Sequence, residues 1–168
     1  MKIKMPDTLN QAITALSKSS PVIFLGPRPG KKSLSKLQDL NLTHCCTLLS
    51  EREQAPLIKN ICKQIPGKWI WLPLEGGNLE TLRAANISGL IQTLAREIEQ
   101  ESKPRLYFHC SAGIHRTGFF VYTLLRLMGS KAKEASTELA KLRSVTADQV
   151  GSDRLALAEE IVAELGIQ

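Results

Sequence analysis

The chain has 168 residues, 43% of them apolar and 23% charged, which suits one domain with a sizeable core and excludes a disordered, collagen-like or disulfide-framework chain. Lys and Arg outnumber Asp and Glu by 22 to 16, a net charge of +6. The whole excess lies in residues 1–84, which hold 12 basic and 6 acidic side chains, so a phosphorylated, nucleic-acid or anionic membrane partner is the first question the charge raises.

In chain order, Asp7 is placed to cap a helix that buries Leu9, Ala12, Ile13 and Leu16. Pro21 precedes a β-type run, Val22–Leu25, and Gly26-Pro27-Arg28-Pro29-Gly30 reads as a turn. Ser33 opens a short helix to Leu40, and Thr43–Leu49 reads as a strand. Pro56 suits a first helical turn, with Leu57, Ile61 and Ile65 continuing one face. Trp69–Leu72 reads as a strand ended by Pro73. Leu82, Ala85, Leu90, Ile91, Leu94 and Ile98 then predict one amphipathic helix. Arg105–His109 is a compact strand. Phe119–Met128, apolar nearly all round, predicts a buried helix, and Gly129-Ser130 separates it from another over Lys131–Arg143. Thr146–Val150 reads as a polar interhelix loop, and a last helix spans Ser152–Leu165 with Gly166 at its end. Strands alternating with helices predict an α/β fold: a single domain over 1–168 with a mainly parallel central sheet flanked by helices. Sites in such sheets lie where strands end and helices begin.

No apolar run approaches a membrane span, and no Sec-type apolar core follows Lys2 and Lys4. Cys45, Cys46, Cys62 and Cys110 form no Cys-x-x-Cys, and no His spacing completes a zinc site, so neither metal nor cofactor is expected. The expectation is a cytoplasmic protein in a reducing compartment, with the first three cysteines as buried small hydrophobes.

Chemistry concentrates in His109-Cys110-Ser111-Ala112-Gly113-Ile114-His115-Arg116-Thr117-Gly118, between the strand Arg105–His109 and the buried helix. Five residues between Cys110 and Arg116 let the loop curl so that its N–H groups point inward, joined by the potential of a helix N-terminus. The result is an anion cradle the size of one phosphate. A cysteine at its base should titrate below the free value of about 8.5. Arg116 offers a planar fork to two phosphate oxygens, and Thr117 places a hydroxyl near the sulfur.

The pattern His-Cys-x5-Arg-Thr-Gly resembles the signature of the protein tyrosine phosphatase superfamily, and the chain's length and element order resemble its small dual-specificity branch. The resemblance implies that Cys110 is the nucleophile and forms a phosphocysteine. It implies that Arg116 binds the phosphoryl group, that Thr117 assists thiolate departure, and that His109 orients the loop. Ser111, Ala112, Gly113, Ile114 and His115 would line the phosphate. His115 departs from the usual glycine, and is read either as added positive charge at the mouth or as a solvent-facing side chain.

The family uses an Asp on a mobile loop as general acid, and this chain has no Asp between Asp39 and Asp148. Trp69-Ile70-Trp71-Leu72-Pro73-Leu74-Glu75-Gly76-Gly77 resembles the strand and loop that carry it, which makes Glu75 the candidate acid. Glu80 is a weaker one, better suited to the first turn of the next helix, and Asp148 is a third. Gln149 loosely fits a glutamine that positions water in related phosphatases.

Gly26–Ser33 imitates a nucleotide phosphate loop but has the wrong spacing, and its two prolines remove N–H donors. Arg28, Lys31, Lys32 and Lys36 are the densest basic cluster, read as an approach surface for an anionic substrate, with Arg28 as a phosphate-binding candidate. With aromatics at 5%, no stacking surface for nucleic acid is expected. The expected activity is metal-free hydrolysis of phosphomonoesters, on protein phosphotyrosine, phosphoserine or phosphothreonine. The alternatives are a phosphate-binding pseudophosphatase or adaptor, suggested by the missing Asp, a sulfur-transfer enzyme, and a phosphoinositide phosphatase. Inositol-lipid enzymes of the family often carry lysines inside the signature loop, and here there are none. Redox control is expected at a low-pKa thiolate, with Cys45 or Cys46 as resolving partner.

Overall fold

Each of the four short apolar runs forms a strand in the computed structural model, which describes residues 8–53 and 55–166. The strands are β1 (Val22–Gly26), β2 (His44–Thr47), β3 (Lys68–Trp71) and β4 (Arg105–His109). They form one sheet in the order β1-β4-β2-β3, every pair parallel. The two inner strands are buried along nearly their whole length and the outer two are not. Burial on both faces is what an inner strand of a parallel sheet covered by helices experiences. The register sets Gly26 and Thr47 on either side of His109, at the carboxyl end of β4.

The helices are α1 (Leu9–Ser19), α2 (Leu34–Gln38), α3 (Ala55–Cys62), α4 (Leu79–Ala84), α5 (Ile87–Glu97), α6 (His115–Leu127), α7 (Ala132–Leu142), α8 (Ser144–Gln149) and α9 (Ser152–Glu164), with a 3₁₀ turn at Glu51–Glu53. They flank the sheet, with α1 packed on α5, and α6 on α7, α8 and α9. Phe108 of β4 meets Phe120 of α6 with ring centroids 5.8 Å apart, which joins the central strand to the buried helix. Among the described residues no helix is long and apolar enough to cross a membrane.

Several elements differ from expectation. Thr8 caps α1 through a reciprocal pair with Gln11; Asp7, the expected cap, lies outside the described residues. In α3 the buried face is Ala55, Ile58 and Cys62, and Leu57 is 54% exposed. The 3.6-residue period runs from Ala55, one position before the expected start at Pro56. The single helix expected through Leu82–Ile98 is two. Ala85 is extended, and Asn86 accepts the Gly89 N–H and starts α5 afresh. α6 begins at His115, inside the signature loop. The polar loop expected at 146–150 is mostly the short helix α8.

Candidate active site

Cys110 follows directly on β4, and Arg116 and Thr117 lie in the first turn of α6. The intervening loop can turn this tightly because Gly113 takes φ +71°, and a Cβ there would come within 2.1 Å of the Gly26 carbonyl oxygen. The loop's outward carbonyls are held from behind. Arg143 donates to those of Ala112 and Gly113 at 2.9 and 3.0 Å, and Thr146 Oγ1 donates to Gly113 at 2.6 Å. The Arg28 backbone N–H donates to the Ser111 carbonyl at 2.9 Å. With its carbonyls turned outward, the loop is free to aim N–H groups at Cys110.

Thr117 Oγ1 donates to Cys110 Sγ at 3.2 Å. Burial raises the thiol's pKa. The Thr117 hydroxyl, the Thr117 and Ile114 backbone N–H groups and the Arg116 charge outweigh it, so the net shift is downward. The surroundings of Cys110, at the loop's base, therefore stabilise its thiolate. Cys45 and Cys46 show the opposite. Cys62 Sγ donates to Cys45 Sγ at 3.1 Å, and this bond together with burial pushes Cys45 up, while burial and, to a lesser degree, the neighbouring Cys62 push Cys46 up. Cys45 and Cys46 are both buried core groups, and Cys45 is engaged by Cys62.

His109 is fully buried, and burial together with the charges of Arg28 and Arg116 pushes its pKa down to about 4. Its Nδ1 lies 3.0 Å from the Cys110 carbonyl oxygen, an acceptor, so the proton of the neutral ring sits on Nδ1. Nε2 then accepts from Thr47 Oγ1 at 2.7 Å, and Thr47 in turn accepts from Trp69 Nε1 at 2.8 Å. This chain of donors crosses β3, β2 and β4 and fixes the peptide that presents the sulfur.

Arg116 is buried and its guanidinium is held by Glu53, with Nη2 to Oε2 at 2.7 Å and Nη1 to Oε1 completing a two-point grip. This pairing drops the Glu53 pKa to about 2. Ser50 donates from both N–H and Oγ to the same carboxylate. Arg116 Nη1 also donates to the Leu74 carbonyl at 3.0 Å, which docks the loop after β3 against the signature arginine. Sequence reasoning missed Glu53. The available signal was a Ser50-x-x-Glu53 pairing in a turn just past the carboxyl end of β2.

Glu75 sits exposed on the docked loop, next to Leu74. Glu80 lies in the first turn of α4 and is exposed there, as its position suggested. Asp148 and Gln149 are exposed on α8, whose Thr146 braces the signature loop. His115 is exposed at the start of α6 and packs near Gly77. Arg28 is not an open approach residue. It is half-buried and donates from Nη2 to the Glu53 carbonyl at 2.6 Å, with Nε buried and unpartnered. Lys31, Lys32 and Lys36 are exposed. No cluster of metal-ligating side chains occurs among the described residues.

Residues 28–140 match the model of the tyrosine phosphatase family. Among solved structures, PTPMT1 superposes with a TM-score of 0.63 at 21% identity, covering 86% of this chain and 92% of that one. A human tyrosine phosphatase-like serine/threonine/tyrosine-interacting protein gives 0.57 at 22%, covering 84% and 91%. The core catalytic domain of the PP-IP phosphatase SIW14 from S. cerevisiae gives 0.54 at 19%, covering 86% and 85%. Identities this low establish a shared fold. No curated protein matches the chain by sequence.

Proposed function

The chain belongs to the tyrosine phosphatase family, and from that premise we propose that it hydrolyses phosphomonoesters on proteins through a phosphocysteine at Cys110. The observation that carries this reading is the environment of one sulfur. Cys110 Sγ sits at the base of an inward-facing loop, receives the Thr117 hydroxyl at 3.2 Å, and titrates low despite being buried.

In the first step the Cys110 thiolate attacks phosphorus. The S–P bond forms as the ester P–O bond breaks, and Glu75 gives its proton to the leaving oxygen. Loop N–H groups and the Arg116 fork hold the equatorial oxygens, where charge is spread in the transition state. In the second step Glu75, now a carboxylate, takes a proton from water as that water attacks the phosphocysteine. Gln149 orients the water. The S–P bond breaks, the electron pair returns to sulfur, and the Thr117 hydroxyl stabilises the departing thiolate.

Two observations favour a protein phosphoester over a densely charged inositol phosphate. No lysine lies between Cys110 and Arg116. The arginines nearest the loop are engaged with backbone carbonyls, Arg143 with Ala112 and Gly113, and Arg28 with Glu53. PTPMT1 has been crystallised with PI(5)P, so inositol phosphates belong in the test. The experiment compares turnover of phosphotyrosine, phosphoserine and phosphothreonine peptides with PI(5)P, using wild type and Cys110→Ser. The reading requires peptide turnover that the variant lacks. Turnover of the lipid alone would reassign the substrate, and binding without turnover would mark a pseudophosphatase.

A further inference from the structure

Glu75 has two glycines immediately after it and an exposed side chain. Nothing in its own sequence fixes where its carboxyl points. An acid must nevertheless lie within hydrogen-bond reach of the leaving oxygen. The loop's direction is therefore set by whatever holds its backbone.

Three carbonyls of the loop accept side-chain donors. Leu74 takes Arg116 Nη1 at 3.0 Å, Gly76 takes Thr81 Oγ1 at 3.2 Å, and Gly77 takes Arg154 Nε at 2.7 Å. The Thr81 bond is local to the turn into α4. Arg116 holds the loop from the phosphate side. Arg154 alone of the three comes from outside this segment and the signature loop, reaching from the first turn of α9 across 77 residues of sequence. Its Nη1 donates at the same time to the Val150 carbonyl at 3.0 Å. Val150 in turn lies against α6: a Cβ on Gly118 would meet Val150 Cγ2 at 2.7 Å. Gly77 itself lies close to His115, since a Cβ there would come within 3.1 Å of His115 Cβ.

We propose that Arg154 is a positioning residue that latches the Glu75 loop, at Gly77, to the α8–α9 turn behind the signature helix. This inference rests on the reading of Glu75 as general acid. A planar guanidinium can offer Nε–H and Nη1–H to two carbonyls in one fixed geometry, which a lysine ammonium cannot do. The bonds are charge-assisted and so stronger than neutral ones. The bonds of Arg154 go to Gly77 and Val150, and none of them is to Cys110 or Arg116.

The test separates protonation of the leaving group from attack by sulfur. The full chain is assayed as wild type, Glu75→Gln, Arg154→Ala and Arg154→Lys. The substrates are a phosphotyrosine peptide, whose leaving group needs a proton, and 2,4-dinitrophenyl phosphate, whose leaving group does not. Arg154→Ala is expected to lower kcat on phosphotyrosine by about 10- to 100-fold while the dinitrophenyl burst rate and both KM values stay near wild type. Arg154→Lys is expected to show the same selectivity to a smaller degree. Adding Arg154→Ala to Glu75→Gln should cost almost nothing more, because both act through one proton. Equal loss on both substrates, or loss on neither, while Glu75→Gln keeps its selectivity, overturns the latch alone. A Glu75→Gln enzyme that does not discriminate between the substrates removes the acid assignment, and the latch falls with it.

Discussion

Glu53 grips both terminal nitrogens of Arg116, and its own backbone carbonyl accepts from Arg28, so one residue of a 3₁₀ turn sets the orientation of the phosphate-binding arginine. The guanidinium is thus prepaid in direction before substrate arrives. Glu53→Gln should lower kcat/KM by about 10- to 100-fold, or about 1.4–2.7 kcal/mol of transition-state stabilisation, with most of the loss in kcat if Arg116 binds the transition state more tightly than the substrate. Steady-state kinetics on an aryl phosphate checks this.

The same pair makes stability depend on acid pH. The folded Glu53 carboxylate releases its proton far more readily than the unfolded one, its pKa being about 2. Its contribution is complete above the ordinary carboxylate range and disappears as pH falls through about 2. The melting-temperature gap between wild type and Glu53→Gln should be widest near neutrality and close progressively below about pH 4. A gap independent of pH would detach Glu53 from this role.

His109 has the opposite chemistry but a related pH profile. Its pKa is lowered to about 4, so the folded protein favours the neutral ring. That contribution is full above about pH 6.5, the unfolded value, and is lost as pH falls toward 4. His109→Ala leaves Thr47 and the Cys110 carbonyl without their partner, at a cost of about 1–3 kcal/mol. For a domain of this size that is a fall in Tm of at least about 2 °C. Thermal melts at pH 7 and pH 5 would show the penalty shrinking at the lower pH.

Arg28 and the neighbouring lysines should separate in salt. Arg28 is half-buried and braces Ser111 and Glu53, whereas Lys31 and Lys32 are exposed. Arg28→Ala should lower kcat with an unchanged salt slope of KM. Lys31→Ala with Lys32→Ala should leave kcat alone, raise KM at low salt and flatten its salt dependence. An unchanged KM in the double variant would make the lysines a solvated turn.

Gly113→Ala tests the loop itself. The substitution combines a left-handed φ of +71° with a Cβ that would lie 2.1 Å from the Gly26 oxygen. Activity should be abolished and stability reduced. An active, stable Gly113→Ala would mean that the loop has another accessible shape.

What was legible in the sequence was what is local in it. The nucleophile, arginine and hydroxyl fall within one strand–loop–helix turn, so spacing alone brings them together. The strands were legible as short β-type runs bounded by Gly, Pro and polar turn residues. Glu53 and Arg154 were invisible because they meet their partners 63 and 77 residues away, and a carboxylate or guanidinium has no periodicity to betray it. The break at Asn86 was readable as a cap, yet the apolar period through Leu82–Ile98 concealed it: two helices in register with one core look like one. Arg28 read as one of four clustered cations on an approach surface, and only the fold turns this member of the cluster inward onto the Glu53 carbonyl.

The most direct test of phosphoryl transfer to Cys110 is to quench the enzyme in acid during the burst with an aryl phosphate and map the phosphorylated peptide by mass spectrometry. The account predicts a phosphoryl group on Cys110 that accumulates within one turnover, survives longer in Glu75→Gln, and is absent in Cys110→Ser, which releases no phosphate. Phosphate release by Cys110→Ser at a rate comparable to wild type, or a burst with the phosphoryl group on another residue, would contradict it.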